Sequence, residues 1–155
     1  MDKKLIAEAV EPVLEEMGCF LVDLSVSASN DIEIVIEKEL GTVDMEDCAE
    51  VDRFVHSRFS QDEEDYSLTV SSAGLDRPFK VLRQFQKAVG SRVVVSRKGG
   101  SRVVATLVDA GLAEIVIRYS ALEAVEGKKK KELVEHVDHV GMHEVTSVVP
   151  YIEFE

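Results

Sequence analysis

Between Arg77 and Val108 the chain carries eight basic side chains and no acidic one: Arg77, Lys80, Arg83, Lys87, Arg92, Arg97, Lys98 and Arg102. Guanidinium and ammonium groups massed in this way can neutralise a run of phosphates, which makes the stretch the candidate surface for an RNA backbone. A solvated basic face with no ligand has the same composition, and charge alone weighs the two about equally. The formal charge of the 155-residue chain is −12, but that sum is unevenly distributed. Residues 1–79 hold 6 basic and 20 acidic side chains, a balance of −14, whereas residues 80–155 hold 12 basic and 10 acidic ones, a balance of +2.

The basic stretch opens in a run with its own local logic: Ser71-Ser72-Ala73-Gly74-Leu75-Asp76-Arg77-Pro78-Phe79. Here a strand stops and the chain must turn before a helix begins. Gly74 can take a positive φ, Asp76 can accept from amides at the helix start, and Pro78 suits a first helical turn, where its missing donor costs little. Those roles account for Gly74, Asp76 and Pro78 as a well-made turn. They do not account for Arg77 beside the cap with Lys80 and Arg83 following one and two turns on, and these three are read as phosphate contacts.

Other chemistry-bearing groups are less persuasive. His136, His139 and His143 fall within eight residues, but on a strand positions 136 and 139 face opposite sides, and Val137 and Gly141 weaken a helix that would align all three. No metal site is assigned to them; they read as exposed polar positions. Cys19 and Cys48 have no metal-ligand spacing and sit among apolar residues, so both read as reduced, small hydrophobes. The acids from Asp62 to Asp65 read as a solvated loop. The chain contains no phosphate loop ending in Lys-Ser or Lys-Thr, no His-Glu-x-x-His and no Gly-x-Ser-x-Gly, so no catalytic residue and no cofactor is assigned and the protein reads as a non-enzyme.

The elements that must position these groups follow from periodicity. Leu5, Ile6, Ala9, Val10, Val13, Leu14 and Met17 recur at helical spacing up to Gly18, with Pro12 bending the helix. Alternation in Phe20–Val26 and again in Ile32–Ile36 predicts a hairpin. A second helix, capped by Thr42 or Asp44, would bury Met45, Cys48, Val51, Phe54, Val55 and Phe59. A strand at Tyr66–Val70 completes an α-β-β-α-β first half, residues 1–79. Residues 80–90 read as a connecting helix ending at Gly90, with Phe79, Val81, Leu82 and Phe85 on its apolar side. Residues 91–155 read as short strands: 92–97, 102–108, 113–119, about 133–140 and 148–154, with Gly99-Gly100 and 109–111 as turns. Five such strands suit a small SH3-like or Sm-like β-barrel, giving an α+β protein of two domains. Lys128–Lys131 reads as a mobile, self-repelling loop. Apolar stretches are too short and too interrupted for a membrane span, and the N-terminus lacks the apolar core of a signal peptide, so a cytoplasmic protein is expected.

Val70-Ser71-Ser72-Ala73-Gly74-Leu75-Asp76-Arg77-Pro78 resembles the signature of the bacterial ribosome maturation factor RimP family, a strand followed by Val-Ser-Ser-Pro-Gly-Leu-Asp-Arg-Pro. The resemblance extends to the helix ending at Gly18, to Leu21-Val22-Asp23, to Asp47-Cys48-Ala49 and to the β-rich second half. Ala73 stands where the family usually has proline, and Ala105 where it usually has glycine. The resemblance implies an N-terminal α/β domain, a C-terminal SH3-like barrel, and a role in assembling the small (30S) ribosomal subunit. The implied partners are the immature subunit, its 16S ribosomal RNA and the twelfth protein of that subunit. A general RNA-binding adaptor or RNA chaperone is the alternative. It is disfavoured because the second half has few aromatics for base stacking beyond Phe79, Phe85, Tyr119, Tyr151 and Phe154.

Overall fold

In the computed structural model, residues 1–74 and 77–152 are described. The backbone divides into two compact units, Met1–Gly74 and Leu75–Glu155. The first unit contains α1 (Lys3–Glu16), β1 (Cys19–Val26), β2 (Asp31–Lys38), α2 (Met45–Arg58) and β3 (Ser67–Ser72). Strands β1 and β2 form the antiparallel hairpin, and Asn30 takes the positive φ of 59° that its turn requires. Strand β3 runs parallel to β2, a pairing that needs a crossover, and α2 supplies it.

Both helices bury one stripe against the sheet. Ile6, Val10 and Leu14 of α1 and Val51 and Val55 of α2 join Leu24, Ile32, Ile34, Ile36 and Tyr66 in one core. Two of the residues expected on these stripes are exposed. Leu5 is 55 % exposed, because it lies about 100° round the helix from Ile6 on the side away from the stripe. Met45 is 90 % exposed, because as the first residue of α2 it overhangs the core. Of the two candidate caps, Asp44 is the one used. Its carboxylate accepts from the Asp47 amide at 2.8 Å while Asp47 accepts from the Asp44 amide at 3.0 Å, a reciprocal capping box. Asp2 caps α1 by accepting from the Lys4 amide at 2.9 Å, and Gly18 follows the helix with φ 73°.

The second unit contains α3 (Leu82–Ala88) and five strands: β4 (Arg92–Arg97), β5 (Arg102–Ala110), β6 (Glu114–Glu123), β7 (Glu132–Gly141) and β8 (Val145–Pro150). The strands form one antiparallel sheet in the order β7-β6-β5-β4-β8. Val93, Val95, Ala105, Leu107, Ile115, Ile117, Val140 and Val148 gather into a single buried cluster with Phe85 of α3. Strands three places apart in the sheet also meet: the Arg97 guanidinium of β4 lies 3.5 Å from Asp138 of β7. The sheet therefore curls into a small barrel, and the α+β reading holds. Several bounds differ from expectation. Strand β5 runs on through Ala110, past a register shift between Leu107 and Asp109, and β6 runs on to Glu123 because β7 pairs with it along ten residues. Strand β8 begins earlier than expected, at Val145. Gly99 and Gly100, with φ 92° and 89°, make the β4–β5 turn. Ala105 is buried opposite Val93, so its methyl group packs into the core without breaking the β4–β5 ladder.

Candidate nucleic-acid interface

Ser71 and Ser72 end β3, paired with Val35 and Ile36 of β2. Ala73 is buried and its amide still donates to the Ile36 carbonyl at 3.3 Å; Gly74 then turns the chain with φ 76°. Leu75 and Asp76 lie outside the described residues, and with them the expected Asp76 cap. Arg77 and Pro78 are exposed. The expectation that Pro78 occupies a first helical turn is overturned, since helix α3 starts only at Leu82. Two hydrogen bonds give the reason. The Phe79 amide donates to the Val148 carbonyl of β8 at 2.8 Å, which holds the segment extended along the barrel. Gln84, buried to 4 % exposure, turns its Oε1 back to accept from the Lys80 amide at 2.6 Å and the Val81 amide at 3.1 Å, so the helix starts there. Arg77 and Lys80 thus precede the helix, while Arg83 and Lys87 stand on it one turn apart. Phe85 anchors that helix in the barrel core and meets Phe79 edge to face at 5.3 Å.

The remaining basic residues belong to the sheet. Arg92, Lys98 and Arg102 are exposed. Alternation along β4 places Val93 and Val95 inward, so Arg92 faces outward, as does Arg102, which pairs with Ser96. Arg97 faces the other way. Its guanidinium lies 3.5 Å from Asp138 and 3.8 Å from Glu144, and Asp138 also accepts from the Tyr119 hydroxyl at 2.8 Å. That hydrogen bond, with burial and the Asp138 charge, pushes the Tyr119 phenol above its usual value. Arg97 is thereby committed to half-buried partners, Asp138 on β7 and Glu144.

Arg118 lies beyond the acid-free stretch and so stands apart from its eight basic residues in the sequence. The sheet sets it on the same row as Arg92: Arg92 pairs with Thr106, and Thr106 pairs with Arg118. With Val104, Ser120 and Glu135 these residues line an open depression of about 300 Å³ on the outer face of the barrel. Outward alternation within β6 marks Arg118 as exposed, but only strand pairing brings it beside Arg92.

The three histidines do not converge. His136 stacks on Tyr119 at 5.3 Å and meets Glu123 at 2.7 Å, His139 meets Glu114 at 3.1 Å, and His143 is exposed. Among the described residues no group of three or more His, Cys, Asp or Glu side chains is placed to hold a metal ion. Both thiols are free; burial pushes the pKa of Cys19 and of Cys48 upward, away from the reactive thiolate. Among the described residues no helix is long and apolar enough to cross a membrane.

A family model described as the RimP N-terminal domain matches residues 9–76. The ribosome maturation factor RimP of Christiangramia forsetii is 33 % identical over 136 residues, which cover 87 % of this chain and 88 % of that protein. The chain belongs to the RimP family. The RimP of Flavobacterium psychrophilum is 29 % identical over 153 residues, 98 % of each chain, and that of Porphyromonas gingivalis 28 % identical over 132 residues, 85 % of this chain and 86 % of the relative. Likeness to RimP proteins therefore spans both compact units. It includes α3 and the barrel strands that carry the basic side chains.

Proposed function

We propose that this protein is a cytoplasmic maturation factor for the small (30S) ribosomal subunit, binding the immature particle and turning over no substrate. Arg77, Lys80, Arg83, Lys87, Arg92, Lys98 and Arg102 contact 16S ribosomal RNA, while Arg97 stiffens the barrel that presents them. The acidic first unit meets a basic ribosomal protein, the twelfth protein of the subunit being the leading candidate. The observation that carries this reading is the charge division of −14 against +2 in a chain whose relatives bear the name ribosome maturation factor. Phosphate neutralisation by an exposed basic surface supplies salt-sensitive affinity, and the acidic unit keeps the protein off nucleic acid at large.

Sedimentation of lysate from cells making the tagged protein tests the reading. Co-migration with free small subunits that weakens as salt rises, together with absence from translating ribosomes, is expected. A protein that stays at the top of the gradient at low ionic strength would remove the ribosomal assignment in favour of a free RNA adaptor.

A further inference from the structure

The outer-face depression has an unusual mixture of groups. Arg92, Thr106 and Arg118 form one continuous row over three strands, with Ser120 and Val104 beside them and the Glu135 carboxylate of β7 on the wall. Neighbouring strands are about 4.8 Å apart, so the backbones of Arg92 and Arg118 are separated by about 10 Å. Two long guanidinium side chains at that spacing can hold one phosphodiester or two successive ones from opposite sides. Arg118 and Glu135 are both exposed, and neither side chain makes a hydrogen bond or ion pair among the described residues. A carboxylate at the rim of a site for polyanions repels phosphate, and so needs a donor on the ligand to make its presence there favourable.

We propose that this depression seats a single-stranded segment of RNA, with phosphates on the Arg92–Arg118 row and a ribose 2′-hydroxyl donating to Glu135. Resting on the RNA-binding reading above, the assignment adds a place, two residues outside the acid-free stretch, and a chemical basis for choosing RNA. DNA offers the same phosphates and base amines but no 2′-hydroxyl, so it lacks the one sugar donor that this assignment places on Glu135. An acidic peptide would likewise satisfy the arginines and be repelled by Glu135.

The test uses the full-length protein and fluorescein-labelled single strands of RNA and DNA of one sequence, titrated by anisotropy over a range of KCl concentrations. Arg118→Gln is expected to weaken RNA binding about tenfold, as loss of one charge-assisted contact requires, and to lower the slope of log affinity on log salt by about 0.7. Glu135→Gln is expected to leave RNA affinity high and to narrow the preference for RNA over DNA. Both positions are exposed, and thermal melting should show both variants folded like the parent. The site is overturned if Arg118→Gln leaves affinity and slope unchanged while the triple variant Arg77→Glu, Lys80→Glu, Arg83→Glu loses RNA; the broader reading then survives alone. It is also overturned if the parent binds RNA and DNA alike, or if polyglutamate competes as well as RNA at equal charge. A parent protein that binds no RNA and does not sediment with subunits defeats both readings together.

Discussion

Single side chains in the barrel carry more than one duty, and Asp138 shows it best. One carboxylate accepts from Tyr119 and faces Arg97, coupling β7 to β6 and to β4. Because the pair is about 30 % exposed, solvent screens its ionic part, and the hydrogen bond from Tyr119 dominates. Asp138→Asn should cost about 1–2 kcal/mol of stability in urea denaturation. The Tyr119 phenol, raised above its ordinary value of 10.0, also predicts a pH dependence. The folded state favours the protonated phenol, so this contribution is fully present below about pH 10 and is lost as pH rises through the folded value. Denaturation midpoints should therefore fall on the alkaline side, and Tyr119→Phe should flatten that fall. If the variant shows the same alkaline decline as the parent, the phenol is not its source.

Helix ends decide much at the scale of elements. The capping box at the start of α2 joins Asp44 to Asp47, and Lys38 of β2 reaches Asp47 at 3.1 Å, so one cap also ties helix to sheet. Asp44→Ala should destabilise the first unit by about 1 kcal/mol, read from a urea titration. The Asp47 carboxyl is held below its usual value, first by the hydrogen bond from the Asp44 amide and then by Lys38. A depressed carboxylate stabilises above its unfolded pKa and loses that contribution as pH falls through the folded one, so Asp47→Asn should blunt acid unfolding below about pH 4. In the second unit Phe85 is the buried apolar side chain of α3. Phe85→Ala should cost about 3–5 kcal/mol and release the helix that carries Arg83 and Lys87, which hydrogen exchange across residues 82–88 would detect.

Charge organises the whole molecule. An acidic unit followed by a basic stretch gives a chain with a net charge of −12 in which one stretch alone carries the opposite sign, the sign that the proposed RNA contact needs. Reversing Arg77, Lys80 and Arg83 to glutamate should remove most binding to immature small subunits at moderate salt. It should also lower the salt slope by about 2, since roughly 0.7 to 0.9 is lost for each phosphate contact. Unchanged subunit binding at every salt concentration would show that Arg77, Lys80 and Arg83 make no phosphate contact.

Element types were legible in the sequence because each rests on local physics. The stripe Ile6, Val10, Leu14 repeats at helical spacing, alternation runs through Ile32, Ile34 and Ile36, and Gly99-Gly100 offers the positive φ a tight turn needs. The family resemblance was legible for the same reason, since it lies in a continuous run around Ser71 to Pro78. What depends on distant partners was not. Pro78 has the local chemistry of a helix start, yet the bond from Phe79 to Val148 and the buried Gln84 move that start to Leu82. Arg97 counts as one basic residue among eight until the curled sheet brings Asp138 to it. Arg92 and Arg118, with 25 residues between them, become neighbours on one row only through strand pairing. Element types, family and charge division are sums or short-range patterns, and so can be read along the chain. The tertiary structure alone decided which charges face outward together, because sheet register, not proximity in sequence, sets which side chains share a face.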